Sequence, residues 1–227
     1  MVDLGLGVSR RRNHGMSRIS IPSLIGLSGL LPFAATFASG CALQAEDEVN
    51  QTASYIQGDE TQVFNLATFS PIDLTWARLN REEASHECKE HTRGLPPGHV
   101  VILSYVVYNA PQNCTNPTPW SWCSFPDAQN FATQPSLQVI DGAIADADGV
   151  AQLRNTVGLG VDGAAGQVVF GGGLTNVAGS EVHFLTTDKG LPIEGRLEEQ
   201  LTTFGGGCDV GPCVDLQFAL FRGPDGG

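Results

Sequence analysis

The sequence predicts an all-β chain: an antiparallel β-sandwich, Ig-like or jelly-roll-like, with at most one short helix and a signal segment in front. Three observations carry this. Short runs rich in β-branched and aromatic residues recur along the chain, divided by Gly, Pro and Asp. Charged residues make up only 16%, while Gly reaches 28 residues, a balance that favours strands and loops over helices. Cysteines sit close to the breaks, as they do in exported domains stapled by disulfides.

The first 41 residues read as a secretory signal segment. Arg10, Arg11, Arg12 and Arg18 form a positive region, Ile19 to Phe37 is apolar, and Ala38, Ser39 and Gly40 lead to Cys41. Pro22 and Pro32 interrupt the apolar run, which weakens a reading as a transmembrane helix. Ala38-Ser-Gly-Cys41 resembles a bacterial lipobox, with Ala38 where Leu is usual; this makes Cys41 the expected lipidation site. Ordinary cleavage near Ala38 or Ala45 is the alternative. Four arginines against Asp3 leave residues 1–41 at +3, so with −12 overall the remainder carries −15. So acidic a remainder offers no electrostatic footprint for nucleic acid and is repelled by anionic membranes, leaving a lipid anchor as its route to a membrane. The acidity itself is read as a solubility device rather than a binding face.

Residues 42–60 form a polar, acidic tether without periodic apolar residues, and residues 61–222 the sandwich. Strands are expected over Thr61 to Phe69 and over Asp73 to Leu79, the second alternating through Leu74, Trp76 and Leu79. Glu83 to Thr92 reads as an exposed edge strand, its charges Glu87, Lys89 and Glu90 discouraging edge-to-edge pairing. Val100 to Tyr108 is continuously apolar and aromatic, the pattern of a central strand covered on both faces. Ser136 to Ile144 and Val150 to Val157 flank Asp146-Ala-Asp148-Gly149, a hairpin signal. Val168–Phe170 and Val182–Leu185, with Gly171, Gly172, Gly173 and Gly179 between them, predict a second hairpin. Gly195 to Thr203, carrying Leu197, Glu198, Glu199, Gln200 and Leu201, is the only segment after the signal with good helical composition and is expected to make two turns. Val214, Leu216, Phe218 and Leu220 alternate as one face of the last strand, and residues 223–227 form a frayed tail.

Six cysteines are present, and close spacing suggests disulfides Cys114–Cys123 and Cys208–Cys213, with Cys88 left over if Cys41 carries lipid. The Cys114–Cys123 loop encloses Trp120 and Trp122. Two indoles in a disulfide loop that also holds two prolines could form a recognition patch for carbohydrate or protein, or could fold back as a cap on the core.

Tyr105-Val-Val-Tyr-Asn-Ala-Pro-Gln-Asn-Cys114, Gly173-Leu-Thr-Asn-Val-Ala-Gly-Ser-Glu-Val-His183, Glu199-Gln-Leu-Thr-Thr-Phe-Gly-Gly-Gly-Cys208 and Cys213-Val-Asp-Leu-Gln-Phe-Ala219 together resemble a group of exported bacterial β-rich proteins with no assigned function. The resemblance covers most of the chain from Arg93 to Phe221. It implies an exported β-rich domain and carries over no activity, ligand or site residue.

His86, Cys88 and His91 form the densest ligand-like cluster, and His183 could complete a copper or zinc site. On a strand, however, His86 and Cys88 point one way and His91 the other, so a bend is required. Glu181 and His183 share one strand face and could act as the acid–base pair of a hydrolase, although no Gly-x-Ser-x-Gly elbow exists. Asp146-Ala-Asp-Gly149 opens like a calcium loop, but its twelfth position is Val157 rather than Glu. Gly171–Gly173 lacks the lysine of a phosphate-binding loop. The sequence therefore predicts no cofactor and no catalysis, and favours a secreted or cell-envelope protein with a binding or structural role.

Overall fold

Val100–Tyr108 becomes strand β5, and all nine of its residues are buried. The computed structural model describes residues 59–223. The signal segment, Cys41, most of the tether and the end of the tail lie outside them.

The remaining elements in chain order are β1 (Asp59–Thr61), β2 (Phe64–Asn65), β3 (Trp76–Arg81), β4 (Ser85–Thr92), β6 (Pro135–Ile144), β7 (Ala151–Gly158), β8 (Val168–Phe170), β9 (Glu181–Asp188), α1 (Leu197–Thr202) and β10 (Val214–Phe221). They form a β-sandwich. One sheet has the order β1-β3-β4-β7, the other β2-β10-β9-β5-β6-β8, and the paired strands are antiparallel. Among the described residues no helix is long and apolar enough to cross a membrane.

Alternation along each strand decides what lies between the sheets. Val101, Leu103, Tyr105 and Val107 of β5 and Val182 and Phe184 of β9 meet Ala77 and Leu79 of β3, Cys88 of β4 and Leu153 and Val157 of β7. Val106 and Tyr108 of β5 and Leu137 of β6 face the other way, into a second cluster with Cys123, partly closed by Trp122. The long β5–β6 connection, with 3-10 turns at Pro111–Asn113, Phe125–Gln129 and Phe131–Thr133, supplies that second cover. Helix α1 lies over β5 and β6. The site fits only glycine: a Cβ on Gly142 would stand 2.3 Å from the Leu201 carbonyl oxygen.

Several strands sit elsewhere than the local pattern predicts. Val168–Phe170 and the Val182–Leu185 run do not form a hairpin; β8 pairs with β6 while β9 pairs with β5 and β10. The Asp146–Gly149 turn forms, with Gly149 at φ +70°, but it joins β6 of one sheet to β7 of the other. Strand β4 is not an edge: it pairs with β3 and with β7. Its inward register carries His86, Cys88, Glu90 and Thr92, all buried. Strand β10 has a bulge between Asp215 and Gln217 that turns its later residues over. Gln217, Ala219 and Phe221 therefore face inward, Gln217 reaching Thr92, while Phe218 and Leu220 lie on the outside of the six-stranded sheet. Leu74 does not belong to the β3 alternation; it is exposed, at φ +59°.

Candidate functional site

Both expected disulfides are present, Cys114–Cys123 and Cys208–Cys213, and Cys88 is a buried free thiol. The first disulfide shapes the candidate site. Its loop lies on the outer side of the six-stranded sheet and is fastened there by two carboxylates. Glu181, fully buried, accepts hydrogen bonds from the backbone N–H of Trp122 (2.9 Å) and Cys123 (3.1 Å) and pairs with His183 Nε2 (2.7 Å). Asp127 accepts from the backbone N–H of Thr115 and Ser124, each at 2.9 Å, and from the Asn116 side chain at 3.0 Å. Burial works against the Asp127 charge, but these donors outweigh it and hold the carboxyl below its ordinary value.

The loop so held divides its two tryptophans. Trp122 packs inward against the second cluster, with the Arg222 guanidinium 4.8 Å from its ring centre. Trp120 points outward, 38% exposed. The Arg222 side chain donates to the carbonyls of Pro119 (2.7 Å) and Trp120 (3.0 Å), fixing the loop tip.

Trp120 is one wall of a shallow aromatic cleft. Its ring stacks on Phe69, centroids 5.8 Å apart and planes at 19°. Phe69 meets Phe218 edge-on at 5.6 Å, and Phe218 stacks on Phe64 at 5.5 Å. Leu220 and Thr61 complete the lining, which encloses about 260 Å³ with open solvent included. Much of that space is open solvent, so the cleft encloses too little to surround a small molecule and suits an inserted side chain or a flat apolar face. Phe69 is 53% exposed in a left-handed conformation, φ +56°, between Thr68 and Ser70-Pro71. A bulky residue held there costs on the order of 1–2 kcal/mol, so the surrounding turn must impose it. Asn65 does so by accepting hydrogen bonds from the backbone N–H of Ala67 and Thr68, both at 3.0 Å.

Sequence reading singles out Trp120 but misses Phe64, Phe69, Phe218 and Leu220. The hidden signals are the aromatic placed directly before a Ser-Pro break and the bulge that turns Phe218 and Leu220 outward.

The ligand-like histidines do not assemble. His86 lies between the sheets. Its Nε2–H donates to the Val177 carbonyl (2.8 Å), so Nδ1 accepts from the Tyr105 hydroxyl (2.7 Å). Burial lowers its pKa to about 4. Cys88 is buried nearby and its thiol is pushed up by burial, away from the thiolate a metal requires. His91 faces outward and stacks on Trp76 at 6.0 Å. His183 lies on the far side of the six-stranded sheet, since its neighbours Val182 and Phe184 face the core. Among the described residues no group of three or more His, Cys, Asp or Glu side chains is arranged to hold a metal. The expected Glu181–His183 pair does form, but Glu181 is engaged by the loop amides, and the adjacent Tyr108 hydroxyl donates to the Ser124 carbonyl (3.0 Å). That geometry clamps a loop. No protein-family model, curated protein or solved structure matches the chain.

Proposed function

We propose that this chain is an exported cell-envelope β-sandwich with a non-catalytic binding role, and that the cleft between Phe69 and Trp120 is its recognition site. The observation that carries this is the Phe69–Trp120 pair itself: two aromatic rings left in water and held rigidly, one by an enforced left-handed backbone and the other by a disulfide loop with buried carboxylate clamps. Exposed, preorganised aromatics are the residues that dominate binding hot spots. The two disulfides support export, and the Ala38-Ser-Gly-Cys41 sequence supports a lipid anchor.

The lining points to the kind of partner. Apart from Thr61 it consists of aromatic and aliphatic side chains, without the convergent hydrogen-bonding groups that sugar hydroxyls require. The occupant is therefore a protein segment presenting an apolar side chain. Selection of a displayed random-peptide library against the immobilised full chain tests this. Recovered peptides are expected to share an apolar anchor and to bind a Phe69→Ala/Trp120→Ala variant at least tenfold more weakly, equivalent to about 1.4 kcal/mol. Peptides that bind the variant equally well, or a glycan array that yields ligands where the library yields none, would overturn the reading. Both side chains are exposed, so the variant should keep its fold.

A further inference from the structure

We propose that Cys208–Cys213 is a thiol–disulfide exchange site that takes electrons from a dithiol partner, with Lys189 stabilising the departing Cys208 thiolate. The two disulfides among the described residues sit in opposite electrostatic settings. Lys189, at the end of β9, has 0% exposure, and its Nζ lies 3.3 Å from Cys208 Sγ and 3.6 Å from Cys213 Sγ. Nζ also donates to the Phe204 carbonyl, which anchors the amine between that loop and the disulfide. Burial lowers the Lys189 pKa, and Asp215 opposes the shift. Both cysteines of this disulfide are exposed, so an incoming thiolate can reach them. Cys114–Cys123 has the reverse arrangement. Cys123 is fully buried, and the nearest charge fixed to its backbone is the Glu181 carboxylate. An anion there disfavours a thiolate, whereas a cation beside Cys208 favours one.

The exchange follows from this placement. A thiolate of the reductant attacks Cys213 Sγ; a new sulfur–sulfur bond forms, the Cys208–Cys213 bond breaks, and its electron pair passes to Cys208 Sγ beside the Lys189 ammonium. Cys208, nearer the amine, is the better leaving group, because a lower thiol pKa speeds departure. The reductant's second thiolate then attacks its own sulfur in the mixed disulfide and expels Cys213, which takes up a proton. Two electrons have moved: the partner dithiol is now a disulfide, and the chain carries two thiols.

The test uses the full chain equilibrated with a series of dithiothreitol concentrations, quenched by alkylation and read by mass spectrometry at each cysteine. Cys208–Cys213 is expected to open at lower dithiothreitol than Cys114–Cys123, which serves as the internal control. At about pH 9, where the thiols ionise, its midpoint in Lys189→Met should move to about tenfold higher reductant, the equivalent of about one unit in one thiol pKa, while the Cys114–Cys123 midpoint stays fixed. An unchanged Cys208–Cys213 midpoint in a folded Lys189→Met protein overturns the proposal. Should that variant not fold, the reduced wild-type protein decides. Its Cys208 alkylation rate should reach half-maximum below the ordinary cysteine value of about 8.5, and a value at or above it refutes the role of Lys189.

Discussion

Two buried groups between the sheets pull stability in opposite directions with pH, and replacing one should expose the other. Glu90 is fully buried; Thr186 donates to its Oε1, while Oε2 has no partner in the protein. Burial pushes its pKa up to about 7 from 4.5, against the Thr186 hydrogen bond. Below pH 4.5 the carboxyl is protonated in both folded and unfolded chains and contributes no pH dependence. Between 4.5 and 7 the unfolded chain has released the proton and the native one has not, so stability falls as pH rises. At about 1.4 kcal/mol per pH unit the loss reaches about 3 kcal/mol and then levels off. His86 has the opposite sign. Its folded pKa of about 4 lies below the ordinary 6.5, so the unfolded chain alone takes up a proton as pH falls through that interval, and stability falls with it, again by about 3 kcal/mol. From pH 4.5 to 6.5 the two slopes cancel.

Glu90→Gln removes one slope while keeping an acceptor for Thr186. Urea unfolding of the variant and of wild type, at a series of pH values from 4.5 to 7, is the assay. The stability difference in favour of the variant is expected to grow by about 3 kcal/mol across that range, whatever constant offset the new amide introduces. The variant alone should become more stable from pH 4.5 to 6.5, through the uncovered titration of His86. A difference that stays constant to within about 1 kcal/mol would mean that Glu90 is solvated or ionised in the native state, and the reasoning would fail.

Two further outcomes can be checked, one from the loop clamp and one from the lipobox-like sequence. Glu181→Ala orphans the backbone N–H groups of Trp122 and Cys123; the cost should be about 1–3 kcal/mol for each donor left buried, and limited proteolysis within residues 114–123 should accelerate before global unfolding, whereas an unchanged cleavage rate would show that the clamp is dispensable. Cys41→Ala, in cells that process lipoproteins, should move the protein out of the membrane fraction; equal membrane association of the variant would remove the lipid anchor from the proposed function.

Elements whose signal is contained in one short run were legible. Val100–Tyr108 reads as a doubly covered strand because every residue but Ser104 is apolar or aromatic, and Gly195 to Thr203 reads as helical because good helix formers lie between Gly195 and Gly205. The disulfides were legible because short loops close at small entropic cost. What failed depends on partners far along the chain. Glu90 looks like a surface charge until Thr186 is placed opposite it. The Gly-rich segment before β9 signals a reversal but not the identity of the neighbouring strand, and β5 and β6 stand between β8 and β9. In β10 the extra residue at the bulge inverts an alternation that the apolar pattern reports faithfully only as far as Leu216. The cleft combines these difficulties: its residues come from the short strands β1 and β2, a left-handed turn, a disulfide loop and the inverted half of β10.

The same contacts bear on the meaning of the acidic composition. Among the described residues, carboxylates accept backbone N–H groups at loops or strand ends: Asp127 at Thr115 and Ser124, Asp141 at Gly142 and Arg154, Asp146 at Asp148 and Val150, Glu181 at Trp122 and Cys123, and Asp188 at Gly190. A Gly-rich chain with long connections loses much backbone entropy on folding, and an aspartate or glutamate anchoring a pair of amides fixes a loop that has few apolar side chains to bury. These carboxylates, a minority of the 24 acidic residues, are thus engaged with the protein's own backbone. The cleft, in turn, has a floor of rings with a single threonine hydroxyl. On the proposed reading, selectivity there would come from the shape and apolar area of what is inserted, with long-range charge affecting chiefly the rate of approach.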